Sequence, residues 1–183
     1  VASSFHQPVR TGWADVLLNC FSPFAQEEFL RVLRPGGVTP DQLRAVLGEV
    51  EIDKAVFKAL ESGEKVLSPG MKYKHYSPNA HVIIVKGDFD KFASLVAEPR
   101  SERTCAVCFD GEEDKISVPA YPYGHADSPE EQARELFDVL RHVDDEKMEL
   151  AFVRFPSLDG VGMAVYNRLL RAAGFEVIDL EQN

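Results

Sequence analysis

Residues 81–183 predict an α/β domain on a mostly parallel sheet, and three observations carry that expectation. Short β-branched apolar runs alternate with stretches whose apolar residues recur at i, i+3, i+4 and i+7, the period of one helix face. Each such stretch opens on Asp or Ser, residues that cap helices, and two of the three stop at Pro99 or Gly174. No internal repeat or low-complexity segment breaks the order. Strands alternating with helices imply parallel strands joined by right-handed crossovers, a small Rossmann-like arrangement.

The elements follow in order. Residues 81–86 (HVIIVK) are the first strand. Asp88 caps a helix with Phe89, Phe92, Ala93 and Val96 on one face, and residues 104–109 form the second strand. An acidic turn at 110–114 leads to a weaker strand around 116–118 and a loop rich in Pro, Tyr and Gly at 119–127. Ser128-Pro129-Glu130-Glu131 reads as a capping box with Pro at the first helical position, followed by Ala133, Leu136, Phe137, Leu140 and Val143. Residues 149–155 form a strand, 159–173 a helix with Val161, Val165, Leu169 and Ala172 on one face, and 176–180 the last strand.

The N-terminal part is less coherent. Residues 14–19 suit a strand, and Ser22-Pro23 opens a helix expected to reach Leu33 before Pro35-Gly36-Gly37. Thr39-Pro40-Asp41-Gln42 is a second capping box, ahead of Leu43, Val46 and Leu47, with Gly48 as terminator, and a short helix is expected over 53–61. One strand and three short helices offer little sheet to pack against, so residues 1–60 read as an incomplete domain. Its apolar Val16, Leu17, Leu18, Phe21, Phe24 and Phe29 then need a partner surface, for which a second copy of the chain is a candidate.

Composition narrows the class. The 183 residues are 45% hydrophobic and 27% charged, with 12 Gly and 11 Pro, which is ordinary for a globular chain and excludes fibrous and disulfide-scaffold proteins. No apolar run approaches the roughly 20 residues that span a bilayer, and three cysteines make no disulfide framework, so a cytoplasmic protein without a membrane partner is expected. The net charge of −10 is unevenly placed. Residues 1–80 carry 9 Lys and Arg against 9 Asp and Glu, and residues 81–183 carry 11 against 21. That acidic half is expected to repel phosphate backbones and to make no direct nucleic-acid contact.

Three motifs have plain structural readings. Cys105 and Cys108 form a CxxC inside a strand, without a second pair or a helix start to lower a thiol pKa, and read as buried structural cysteines. Asp159-Gly160-Val161-Gly162 lies between a strand and a helix but lacks a GxGxxG spacing, and reads as a helix start with close packing. Tyr121 to His125 reads as a surface loop. No catalytic or metal-ligating residue is assigned to this chain.

The segment Ser68-Pro-Gly-Met-Lys-Tyr-Lys-His-Tyr-Ser-Pro78 is different. Its prolines demand an irregular connection, yet Lys72, Tyr73, Lys74, His75 and Tyr76 offer hydrogen-bond donors and aromatic faces that suit an anionic or aromatic ligand such as a nucleotide. This segment closely resembles the interdomain linker of the two-domain threonylcarbamoyl-AMP synthases. Residues 33–48 (LRPGGVTPDQLRAVLG) resemble the end of that family's YrdC-like catalytic domain, and residues 158–174 (LDGVGMAVYNRLLRAAG) resemble the last helix of its Rossmann-like C-terminal domain. The resemblance implies an enzyme that condenses L-threonine, bicarbonate and ATP, with magnesium, to threonylcarbamoyl-adenylate and pyrophosphate for tRNA modification. It further implies that the linker closes over the pocket as a lid with Tyr76 near the nucleotide, and that Arg34 contacts ATP. An arginine suits phosphates, and a basic aromatic strip suits adenine.

Residues 1–37 resemble something else, the strand, Ser/Ala-Pro turn and helix ending in RPGG of rRNA guanine methyltransferases. The resulting division is a methyltransferase-like remnant at 1–37, a helical tail of the YrdC-like domain at 38–63, the lid linker at 64–80 and the Rossmann-like domain at 81–183. On that reading the chain is an accessory domain that is inactive and binds no cofactor by itself. Two other readings stand beside it: a fragment of an S-adenosylmethionine-dependent rRNA methyltransferase, and a small-ligand-binding α/β module.

Overall fold

The computed structural model describes residues 30–58, 78–98 and 103–182. A five-stranded, wholly parallel sheet forms the centre: β3 (His81–Lys86), β4 (Thr104–Cys108), β5 (Ala120–Pro122), β6 (Leu150–Arg154) and β7 (Val177–Asp179), in the spatial order β5-β4-β6-β3-β7. Helices α2 (Phe89–Ala97), α3 (Pro129–Asp145) and α4 (Gly162–Ala172) supply the crossovers. The expected α/β class with a parallel sheet and flanking helices is the observed one.

Alternation along each strand builds two cores. Ile83, Val85, Ala106 and Phe152 meet Phe92 and Val96 of α2 on one face. Val82, Ile84, Cys105, Val107 and Val153 meet Leu136, Leu140 and Val143 of α3 and Val165 and Leu169 of α4 on the other. With both faces covered, the strands read as nearly unbroken apolar runs.

Several local expectations are corrected. The third strand lies at β5 rather than 116–118, where Glu113–Lys115 make a 3-10 turn and Ile116 and Val118 pack on the α2 side as loop. Pro122 fits β5 because β5 is an edge strand, where a missing ladder donor is tolerated. At α3 the expected capping box does not form: Ser128 makes no side-chain capping hydrogen bond, and Glu131 is turned to His125. The final helix starts at Gly162 rather than at 159.

The N-terminal unit holds two three-residue strands absent from the sequence reading, β1 (Leu30–Val32) and β2 (Val50–Ile52), paired in parallel with Arg31 opposite Glu51. Residues 30–32 are therefore strand and not the end of a helix. Helix α1 (Pro40–Leu47) connects them and carries the expected capping box, with Thr39 and Gln42 exchanging backbone hydrogen bonds. Its apolar side faces outward, Val46 being 81% exposed. The helix expected over 53–61 is, within the described residues, a 3-10 turn at Lys54–Val56, where the Asp53 carboxylate accepts from the Ala55 N–H. The strand expected at 14–19 lies outside the described residues. Among them, no helix is long and apolar enough to cross a membrane.

Candidate functional site

Of the residues the sequence singles out, Lys72, Tyr73, Lys74, His75 and Tyr76 lie outside the described residues, and Arg34 is placed. It lies two residues past the end of β1 and is half-buried. Its neighbour Leu33 packs on Ala55, both being nearly inaccessible.

That packing brings the N-terminal unit onto α4. The Asn167 side-chain amide donates to the Val56 carbonyl at 2.7 Å, and Arg171 Nη2 donates to the Ala55 carbonyl at 2.8 Å. Phe57 lies 6.4 Å, centroid to centroid, from Tyr166, whose ring also meets Phe155 at 4.7 Å. Asn167 is buried, so its bond to Val56 is one the junction cannot lose without stranding a polar group. The Arg168 guanidinium lies over the Phe137 ring at 5.1 Å. Burial first, and then the positive charge of Arg34, hold Arg168 and Arg171 below the usual arginine range. Asn167 and Arg171 are thus the side chains that tie α4 to the N-terminal unit. The sequence reading took α4 for its apolar face alone. The signal it passed over is Asn167, Arg168 and Arg171, a polar edge at i, i+1 and i+4 on an otherwise buried helix.

The carboxyl ends of the strands, where open parallel sheets bind ligands, are occupied by the protein's own groups. Arg154 meets the Glu112 carboxylate with two nitrogens at 3.2 Å and donates to the Gly87 carbonyl at 2.7 Å. Its guanidinium sits 5.4 Å from the Phe92 ring and 5.3 Å from the Phe109 ring. Lys86 is paired with Asp179 and Glu181. Tyr123 is fully buried, with its hydroxyl donated to the Arg154 carbonyl. His125 Nδ1 lies 2.8 Å from Glu131 and 3.2 Å from Asp110, and the hydrogen bond it donates to the Glu131 carboxylate raises the imidazole pKa. The segment 121–125, expected as a surface loop, is instead edge strand through Pro122 and fully buried at Tyr123, and it ties β4, β5 and α3 together. Cys105 and Cys108 are buried, and burial pushes both thiols up to about 12, which keeps them protonated and unreactive. The 159–162 turn is a close-packed helix start: a Cβ on Gly162 would overlap the Ser157 carbonyl oxygen.

Fold and junction together define a class: a parallel α/β domain whose last helix clamps the end of a preceding, separately built unit through carbonyl-directed Asn and Arg side chains. Comparison with known proteins makes the class specific. Residues 38–174 match the family model described as threonylcarbamoyl-AMP synthase, C-terminal domain, and the chain belongs to that family. It is 36% identical over 152 residues to the threonylcarbamoyl-AMP synthase of Pyrococcus abyssi, covering 80% of this chain and 43% of the relative. Against the Bacillus subtilis synthase it is 34% identical over 177 residues, covering 93% and 48%. The chain thus spans about half the length of the curated relatives it matches. Among solved structures, a histidine-and-tyrosine-to-alanine double variant of P. abyssi Sua5 superposes with a TM-score of 0.68 at 32% identity, covering 82% of this chain and 43% of that one. P. abyssi Sua5 complexed with L-threonine gives 0.67 at 32%, covering 85% and 46%.

Proposed function

We propose that this chain supplies the C-terminal domain and lid linker of an enzyme that forms threonylcarbamoyl-AMP from L-threonine, bicarbonate and ATP with magnesium, for tRNA modification. The single observation that carries the proposal is the family match over 38–174, which runs unbroken across the Lys72–Tyr76 segment. The threonine complex of the P. abyssi protein supports L-threonine as a substrate. In this reading Arg34 contacts the phosphates of ATP, the linker covers the nucleotide and keeps water from a labile mixed anhydride, and the chain forms no product by itself. A cytoplasmic location goes with that reading.

The division at residue 37 stands as a second reading of the N-terminal end. The methyltransferase-like pattern of residues 1–37 supports a join there. Two observations support one continuous family sequence instead. Strand β1 pairs with β2 across Arg34 to Gly37, and the B. subtilis alignment covers a share of the chain that residues 38–183 alone could not supply.

The test uses the chain joined behind the part of the B. subtilis synthase that it does not cover, with threonylcarbamoyl-AMP formation as the readout. Arg34→Ala and Tyr76→Ala are each expected to lower kcat/KM for ATP on the order of 10- to 100-fold, the worth of a charge-assisted hydrogen bond. Unchanged kinetics in both variants would remove Arg34 and the lid from the site.

A further inference from the structure

We propose that Asp110, His125 and Glu131 form a binding site for a divalent transition-metal ion of the zinc class at the carboxyl edge of the sheet, distinct from the magnesium of the nucleotide reaction proposed above. The three residues all belong to the α/β domain, so the site does not depend on that reaction.

Three separate segments converge there. Asp110 lies two residues past β4, His125 three residues past β5, and Glu131 in the first turn of α3. His125 Nδ1 is 2.8 Å from Glu131 Oε2 and 3.2 Å from Asp110 Oδ2, and one donor atom from each residue falls within 4.8 Å of the other two. Bonds of about 2.0–2.1 Å to a tetrahedral or octahedral ion separate neighbouring donors by about 3.0–3.4 Å, so small side-chain rotations close the three on one ion. An imidazole nitrogen beside carboxylate oxygens suits zinc-like ions, whereas magnesium and calcium prefer oxygen alone. Two carboxylates and a neutral imidazole match the charge of a divalent ion, and they outweigh the roughly half positive charge at the start of α3.

The surroundings hold the donors in place. The Gly124 N–H donates to Asp110 Oδ1 at 3.1 Å and the Asp110 N–H to the Gly124 carbonyl at 3.1 Å, which leaves Oδ2 for the ion. Gln132 is wholly buried and donates to the His125 and Ala126 carbonyls at 2.7 and 3.3 Å, fixing the backbone that carries the imidazole. Gly124 has a φ of +106°, and a Cβ there would lie 2.9 Å from the Gln132 nitrogen and 3.0 Å from the Glu131 Cβ, so glycine is what lets His125 come this close to α3. Supporting contacts of this kind orient the ligands of metal sites, and holding the donors before binding lowers the entropy cost. His81 makes the contrast: it meets one carboxylate, Glu176, and among the described residues no other group brings three such donors together. The ion takes the place of the Nδ1 proton, which leaves to solvent, and three protein ligands leave its remaining positions to water.

The probe is zinc chloride, titrated by calorimetry into the full chain after a chelator has stripped it of metal, with the thermal midpoint and the visible absorption of added cobalt(II) followed in parallel. The wild-type chain is expected to bind zinc, to gain in midpoint with it, and to give cobalt a band shifted from that of the hydrated ion. His125→Ala and Asp110→Asn are each expected to weaken zinc by about 100-fold or more, beyond the cost of about 10- to 100-fold for losing a supporting contact, and to abolish the midpoint gain and the cobalt band. His81→Ala should leave all three readouts unchanged. Asp110 and His125 are exposed, so without metal both variants should melt close to the wild type. Equal zinc affinity in His125→Ala, no binding at millimolar zinc, or magnesium bound as tightly as zinc would overturn the inference.

Discussion

Replacing Arg154 by alanine is expected to destabilise the α/β unit by about 3–5 kcal/mol, the cost of breaking a buried ion pair by removing one partner. The pair qualifies because its side chains are only 12% and 17% exposed. Three losses coincide. Glu112 keeps its charge but loses both nitrogens, the Gly87 carbonyl loses its donor, and the Phe92 and Phe109 rings lose the cation between them. These groups sit at the ends of β3, β4 and β6, so the variant loosens the carboxyl edge of the central strands together. Denaturant unfolding of Arg154→Ala, Glu112→Gln and the double variant Arg154→Met/Glu112→Met decides the point. The double variant should recover much of the stability, because a pair replaced by apolar groups leaves no stranded charge. A loss under about 1 kcal/mol in Arg154→Ala would mean that the pair is an ordinary surface contact.

The second large effect is expected at Gly162, the first residue of α4. Propensity argues that Gly162→Ala should gain up to about 1 kcal/mol, since alanine is the better helix former. Packing argues the reverse, because the new Cβ would overlap the Ser157 carbonyl oxygen and lie 2.9 Å from its carbon, and backbone atoms cannot rotate aside. Packing should win. The expected net loss is about 2–3 kcal/mol, lowering the thermal midpoint by about 4–12 °C for a chain of this size. The 157–161 turn must move to accept the methyl, and α4 moves with it, so the Asn167 and Arg171 bonds to Val56 and Ala55 should loosen as well. Hydrogen exchange of the backbone amides at 53–57 would report that loosening. A midpoint equal to or above the wild type's would show that the turn adapts at no cost.

What the sequence disclosed, and what it hid, follows from the range of the interactions. Strands β3, β4 and β6 and helices α2, α3 and α4 were legible because each is specified locally, by β-branched runs or by an apolar stripe longer than two turns. Strands β1 and β2 were not, since three residues carry no period and each becomes a strand only against the other, 20 positions away at Arg31 and Glu51. Strand β5 was hidden between two prolines that propensity reads as loop, and only the edge position makes Pro122 acceptable. The Ser128 to Glu131 box matched the spacing rule, but Glu131 found a stronger partner in His125, which no local pattern encodes. The candidate site divides in the same way. Arg34 and the linker are candidates that the sequence offers as two short motifs, and the linker's Lys72 to Tyr76 lie outside the described residues. The contributions of Asn167 and Arg171 were not legible, because their meaning depends on carbonyls 111 and 116 residues away.

The chain belongs to the threonylcarbamoyl-AMP synthase family, and in the function proposed above it is the accessory half of such an enzyme, with a lid that serves a pocket completed by the part of the relatives it does not cover. The most direct measurement is ATP-dependent release of pyrophosphate, with L-threonine, bicarbonate and magnesium present. It is made on the chain alone and on the chain joined behind the uncovered part of the B. subtilis synthase. The account predicts no threonine-dependent release from the chain alone, and release accompanied by threonylcarbamoyl-AMP from the joined protein. Threonine-dependent release by the chain alone, or none from a joined protein shown to be folded, would contradict it.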